Sequence, residues 1–384
     1  MKRVLPLGVA IVAFVLTVVV LRVVVFDRDT PPIPGIRATA ELGPLRQHPL
    51  VNGRDNGQSA RYGDTSIWVF GDTVLREPWR FLSSTGAATS DLRARDGITI
   101  TSPDVFADPV GDPVDLLPLR PPETRFTKAH AKGSCRPETD GYCAVLIGLW
   151  PGAIVADPAR RRVLVFYAKL CRGGPEGSRC SGPLGHGLGT GVAAIDMTTR
   201  KVTRLTATGT RTLSSVEGPD PTLFFPGSTP WTAAATLVGD DLYVYGDCDA
   251  RCHVARVPVA SVADRSAWRF WAGDDRWAAD EGGAAANLSG GSAGNSVIHV
   301  PALDAWLNVY LPKLSNTLTG QVGSSPSGPW SRPFAIAETD SAGGGANYAG
   351  FAHPEFAEKD GRVQYFSYYQ AKTYQQRIIR VEFD

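Results

Sequence analysis

Short runs in which apolar and polar positions alternate dominate the chain beyond residue 46, and long stretches with helical periodicity are hard to find. Five times, a run rich in small residues is followed by a turn and then by a bulkier run. The first members are Asn56 to Tyr62, Trp150 to Ala156, Trp231 to Val238, Gly294 to Val300 and Tyr348 to Phe356. The second are Ser66 to Phe70, Arg162 to Tyr167, Leu242 to Tyr245, Ala305 to Tyr310 and Val363 to Tyr369, heavy in aromatic and β-branched residues. Outer strands can also be read, as at Gly191 to Met197 with Lys201 to Leu205, and His253 to Val259 with Trp268 to Trp271. A recurring unit of this kind predicts an all-β, five-bladed β-propeller, with Gly, Ala and Ser where innermost strands crowd the axis. A pair of β-sandwiches would also give short alternating strands, but would not repeat one two-run unit five times. The last repeat supplies a third strand at Arg377 to Phe383 and no fourth, so Ile36 to Leu42 is expected to complete that blade and close the ring.

Ahead of this pattern, Val4 to Leu21 carries no charge and the apolar character resumes at Val23 to Phe26, which is long enough to cross a bilayer as a helix. The segment ends in Val-Val-Val-Phe-Asp-Arg-Asp, without the small residues of a cleavage site, and so predicts an uncleaved transmembrane anchor; a cleaved signal peptide is the alternative. Lys2 and Arg3 place the N-terminus on the cytoplasmic side, opposed by Arg22 and Arg28. Pro31, Pro32, Pro34 and Pro44 mark a stalk. The expected organisation is an anchor over 1–27, a stalk and ring-closing strand over 28–45, and the propeller over 46–384, in a single-pass membrane protein whose body is extracytoplasmic, or secreted if the segment is cleaved.

Composition sharpens this picture at three points. With 39 Lys+Arg against 38 Asp+Glu the net charge is +1, and without basic runs a nucleic-acid role has no electrostatic support. The 41 Gly and 29 Pro are spread evenly, as many short strands and turns require. Six cysteines fall into close pairs, Cys135 with Cys143, Cys171 with Cys180 and Cys248 with Cys252, for which three local disulfides in an exported protein are the simplest account. The spacings do not repeat as zinc ligands would, and no metal site is expected.

Candidate chemistry concentrates in the first repeat, Asn52-Gly-Arg-Asp55-Asn56-Gly-Gln-Ser59 followed by Ile67-Trp-Val-Phe-Gly-Asp72-Thr73. A turn near Gly63 and Asp64 folds the second strand back, so Asp55 and Asp72 fall at the same end of one hairpin. Paired carboxylates are what glycoside hydrolysis needs, although Asp is also an ordinary turn residue. Asn56 accompanies them. In the last repeat His353 and Glu355, two positions apart on an extended run, would point the same way and meet a sugar, or else serve as a core hydrogen-bonder and a surface acid. Trp150 and Trp231 begin two inner strands, where their rings could stack on sugar faces or pack between blades, and Asn295 holds the corresponding place in the fourth repeat. Glu217 lies on a connecting loop, where it could reach the funnel or, as is commoner, stand as a solvated loop acid. Phosphate loops, His-Glu-x-x-His and Gly-x-Ser-x-Gly elbows are absent from the sequence.

These motifs resemble a family of exported bacterial propellers first catalogued as a domain of unknown function, DUF4185, and later grouped with endo-D-arabinofuranases in glycoside hydrolase family 183. The resemblance rests on Gly53-Arg-Asp55-Asn-Gly-Gln-Ser59, Trp68-Val-Phe-Gly-Asp72-Thr73, Gly328-Pro-Trp-Ser331 and Tyr348-Ala-Gly-Phe-Ala-His-Pro-Glu355, and spans 46–384. It implies cleavage of internal linkages in the D-arabinan of cell-wall arabinogalactan and lipoarabinomannan, with the carboxylates at Asp55 and Asp72. No cofactor is implied, although five-bladed hydrolases sometimes hold an axial calcium. The cysteine pairs and an insert from about Arg93 to Gly141 depart from the pattern. Other classes stay open: a propeller that binds wall glycan or a partner without cleaving it, and an exo-acting or L-arabinan-active hydrolase.

Overall fold

The computed structural model describes residues 30–101, 106–246, 248 and 251–384. They form a five-bladed β-propeller. Blade 1 is built on Val51–Tyr62 and Thr65–Leu75, with Thr85–Thr89 and Arg80–Leu82 sharing the outer edge of the second strand. Blade 2 runs Leu146–Asp157, Arg162–Arg172 and His186–Asp196, edged by Val202–Arg204 and Leu223–Pro226. Blades 3 and 4 start from Ala234–Val238 and Ser296–Val300, the former followed outward by four further antiparallel strands and the latter by three. Blade 5 comprises Tyr348–Ala352, Val363–Gln370 and Gln375–Phe383, and its outermost strand is Ile36–Pro44, paired antiparallel with Gln375–Phe383 from Ile36↔Phe383 to Pro44↔Arg377. The two ends of the ring are therefore joined by main-chain hydrogen bonds, and the edge that the last blade would otherwise expose is covered.

Both faces of every blade are buried, which is why the second strands read as almost unbroken apolar runs. Ile67 and Val69 pack into the cluster shared with blade 2, alongside Ile147 and Val165, whereas Trp68 and Phe70 point the other way and pack on Tyr365 and Ile378 of blade 5. Period-two alternation thus assigns successive residues to opposite neighbours. Comparable clusters fill the blade 2/3 interface around Phe166 and Val257, the 3/4 interface around Tyr245 and Val297, and the 4/5 interface around Leu307 and Phe366.

At the axis the inner strands approach closely enough to bond to one another: Ala153 N–H donates to Thr232 O at 2.9 Å and Asn295 N–H to Ala233 O at 2.9 Å. A Cβ on Gly152 would collide with Thr232 O, so only glycine permits this approach. These bonds explain why regular pairing in blades 3 and 4 begins later than the sequence suggests, since Trp231 to Ala233 and Gly294 to Asn295 are engaged with neighbouring blades. The run predicted from Tyr348 to Phe356 also stops at Ala352, because Pro354 cannot donate to a ladder and opens a 3₁₀ turn, Pro354–Phe356.

The three cysteine pairs are disulfides, Cys135–Cys143, Cys171–Cys180 and Cys248–Cys252. The insert carries an α-helix, Pro121–Ala129, started by Pro at its first positions and by Glu123 Oε2 accepting from Arg120 N–H at 2.7 Å. No helix among the described residues is long and apolar enough to cross a membrane, and the anchor expected over 1–27 lies outside them.

Candidate active site

Because the inner strands all run the same way along the axis, their first residues gather at one end of the central channel and their last residues at the other. The first end opens into a cavity of about 560 Å³ lined by Asp55, Asn56, Gly71, Trp150, Gly294 and Tyr348, among others. The opposite end holds a smaller cavity, about 330 Å³, bordered by Ser59, Asn295 and Glu355.

Asp55 reaches the larger cavity because its strand bulges. Register slips between Arg54 and Asn56 and again between Asn56 and Gln58, where Asn56 and Gly57 adopt left-handed φ of 70° and 84°. Asn tolerates that conformation, its side-chain amide donates to Pro151 O of blade 2, and its backbone carbonyl accepts from Gln376 Nε2 at 2.9 Å. The displaced Asp55 carboxyl lies over Gly71, where any Cβ would strike Oδ1. It accepts from the Asp72 backbone N–H and, at Oδ2, from Tyr348 Oη at 3.0 Å. Enclosure by protein, reinforced by the charge of Asp72, pushes its pKa up to about 7 against the opposing pull of Tyr348 and Arg172. Burial and the facing Asp55 also push the Tyr348 phenol well up, which keeps it a donor.

Asp72 is held differently. Arg172 grips it with both terminal nitrogens, Nη1 donating to Oδ2 at 2.7 Å and Nη2 to Oδ1, and Trp150 Nε1 donates to Oδ1 at 2.7 Å. The guanidinium lies 4.7 Å from the Trp150 ring. The hairpin thus brings together the two acids that the sequence singled out, one protonated near neutrality and the other fixed by a bidentate cation.

The remaining candidates separate. Trp150 borders the cavity. Trp231 does not: it is 1% exposed and packed between Phe225 and Phe270, so its ring is core. Asn295 is buried as a brace, with Nδ2 donating to Ser289 O and Asn308 Oδ1, each at 2.8 Å, and Oδ1 accepting from Gly291 N–H. His353 and Glu355 stand at the far end of the channel from Asp55, because the residues that end an inner strand face the opposite mouth. There they join blades 5 and 1 through Ser59, whose Oγ lies 2.6 Å from His353 Nδ1 and donates to Glu355 Oε1 at 2.5 Å. Burial pushes His353 down to about 3, which keeps it neutral, and pushes Glu355 upward; both act as structural hydrogen-bonders between blades. The carboxylates near the cavity do not meet them.

Glu217 is no solvated loop acid either. With Glu123 and Asp220 it forms the one trio of acids among the described residues close enough to share a cation. Lys169 Nζ occupies that place, 2.7 Å from both Glu123 and Asp220 and also bonded to Glu217, while Arg204 and Arg120 complete the balance. Burial disfavours the ionised forms of Glu123 and Asp220, but these cations outweigh it and Asp220 falls to about 2. The cluster clamps the insert helix to blade 2 and needs no metal for charge balance.

Sequence reading missed Arg172, Tyr348 as a partner of Asp55, and Gly71. Arg172 sits at the tail of a strand whose core-facing pattern had ended, and only tertiary folding brings it to Asp72, 100 residues away.

Residues 206–380 match the family model described as Domain of unknown function (DUF4185). That is the family the sequence motifs resemble; the match takes in blades 3 to 5 and Tyr348, while Asp55 and Asp72 precede it. No curated protein matches the chain. Among solved structures, a candidate hydrolase from Bacteroides ovatus ATCC 8483 is similar with a TM-score of 0.57 at 11% identity, covering 88% of this chain and 87% of that one. An exo-beta-1,3-galactanase from Phanerochaete chrysosporium gives 0.47 at 11% identity, over 90% of this chain and 64% of its own. A family 117 glycoside hydrolase from Zobellia galactanivorans gives 0.46 at 10% identity, over 90% of each. The first of these likenesses is one of fold.

Proposed function

We propose that the protein is a glycoside hydrolase that cleaves internal furanosidic linkages of D-arabinan, as found in arabinogalactan and lipoarabinomannan. The observation that carries this reading is the unlike setting of two neighbouring carboxyls, one at the cavity and one beside it: Asp55 retains its proton up to about pH 7, and Asp72 is held by Arg172 and Trp150. A carboxyl kept protonated beside one gripped by a cation is the arrangement an acid and a base in one site require. Asp55 donates its proton to the glycosidic oxygen as the bond from that oxygen to the anomeric carbon breaks. Asp72 orients a water on the anomeric carbon and takes the proton that water releases as its oxygen bonds to that carbon, so no further reactant is needed. Tyr348 holds the Asp55 carboxyl in place throughout. The furanose preference and the wall polysaccharide come from the family likeness, and the three disulfides support an extracytoplasmic setting. Tethering to the membrane through residues 1–27 belongs to the same proposal.

Digestion of purified arabinogalactan tests it. Wild-type protein is expected to release oligosaccharides rather than single sugars, and Asp55→Asn and Asp72→Asn each to lower the rate at least about a hundredfold. Unaltered release by both variants removes the pair from the mechanism, and binding without release by the wild type replaces the hydrolase with a glycan-binding propeller.

A further inference from the structure

Exposed apolar side chains that neither the fold nor the acid pair explains lie at the cavity and beside it. Trp79 and Leu184 are each 70% exposed and Phe81 is 40% exposed, an unusual expenditure of large side chains on solvent for a molecule with five filled blade interfaces. Phe81 belongs to the short strand Arg80–Leu82, which pairs with the distal half of Thr65–Leu75, the half that carries Asp72. Its ring lies 5.0 Å from the Arg172 guanidinium, and the other neighbour of that guanidinium is Trp150, at 4.7 Å. Arg172 also donates to Pro183 O at 3.3 Å, one residue before Leu184, which itself lines the cavity. A buried arginine therefore links Trp150 at the acid pair to Phe81 on the blade 1 side and to the Leu184 loop on the blade 2 side. Trp79 ends the turn that leads into the strand Arg80–Leu82, two residues before Phe81, and Arg80 between them pairs with Asp112 at 3.0 Å.

We infer that Trp79, Phe81 and Leu184 form a sugar-binding subsite that receives the residues of a polysaccharide flanking the linkage held at Asp55 and Asp72. The inference rests on the hydrolase reading and adds the mode of binding to it. Rings and an isobutyl group present C–H-complementary surfaces to sugar faces, and the guanidiniums of Arg172 and Arg80 are already paired with Asp72 and Asp112. Aromatic side chains on short, fixed elements bind with little loss of conformational freedom, which suits a neutral, repetitive chain. A subsite beyond the cavity rewards long substrates over short ones and favours attack inside a chain.

The test compares Trp79→Ala and Phe81→Ala with wild type and with Val238→Ala, an exposed apolar position at the last residue of the inner strand of blade 3, at the opposite end of the channel. Two measurements are made on purified arabinogalactan and on its short oligosaccharides: kcat/KM, and retardation of the protein in arabinogalactan-containing native gels. The expected result is a roughly tenfold fall in the long-to-short ratio of kcat/KM for the subsite variants, borne by KM, with a matching loss of retardation and no change in Val238→Ala. An unchanged ratio and unchanged retardation in both subsite variants overturn the subsite while leaving the hydrolase reading intact. Loss of retardation in the subsite variants of a protein that cleaves nothing keeps the subsite and refutes the hydrolase. Equal loss in Val238→Ala refutes the assignment to these side chains.

Discussion

Asp55→Asn is expected to make the protein more stable as the pH rises. In the wild type the Asp55 carboxyl stands at about 7 in the folded state against 3.8 ordinarily, chiefly because protein encloses it and then because Asp72 repels its charge. A group whose folded pKa is raised favours folding in its protonated form; as pH climbs from about 4 to about 7 the unfolded chain releases the proton first, and stability is lost across that window. At about 1.4 kcal/mol for each pH unit, the loss reaches about 4 kcal/mol by pH 8. Asparagine cannot ionise, so the variant escapes this loss entirely. It does suffer a pH-independent cost of about 1–2 kcal/mol, because an amide nitrogen cannot accept and one of the bonds from Tyr348 Oη or the Asp72 N–H is forfeited. The two terms separate by pH. Urea unfolding at pH 4 should show the variant slightly less stable than wild type, and at pH 8 more stable by about 2–3 kcal/mol. A stability difference that stays flat between pH 4 and pH 8 would mean that Asp55 titrates normally, and the assignment of proton donor would fall with it. Such a gain on removing a reactive group is the trade expected where function holds a carboxyl in an unfavourable place.

Three further outcomes follow from the same geometry. The basic limb of kcat/KM should fall near pH 7, and Arg172→Gln, by removing a cation that favours the Asp55 anion, should move that limb upward while lowering the rate; a limb that does not move refutes the coupling. Lys169→Met should cost about 3–5 kcal/mol in urea unfolding at pH 7, since it removes the cation shared by Glu123, Glu217 and Asp220; wild-type stability would show this cluster to be dispensable. A chain starting at residue 46 should aggregate and lose its cooperative thermal transition because it exposes the edge of Gln375–Phe383, whereas one starting at residue 30 should keep the wild-type Tm; monomeric, cooperative unfolding of the shorter chain would refute ring closure as the source of that stability.

The sequence alone determined the architecture because the physics of a propeller is local and repeated. Each bulky second strand is buried on both faces by its neighbours, so its composition is written into consecutive residues, as in Ile67 to Phe70, and the missing last strand could be inferred from the one unpaired run before the first repeat. Close spacing likewise made the disulfides legible, and a single hairpin was enough to place Asp55 beside Asp72. What only the tertiary structure decided depends on contacts between blades. His353 and Trp231 look like site residues along the chain, but a proline-terminated strand carries the first to the far mouth and an aromatic interface swallows the second. Arg172 is one arginine among many until blade 2 sets it against blade 1. The unlike behaviour of the two aspartates has the same origin, since enclosure and charge at a cavity are properties of everything packed around a carboxyl and leave no mark on the residues beside it in sequence.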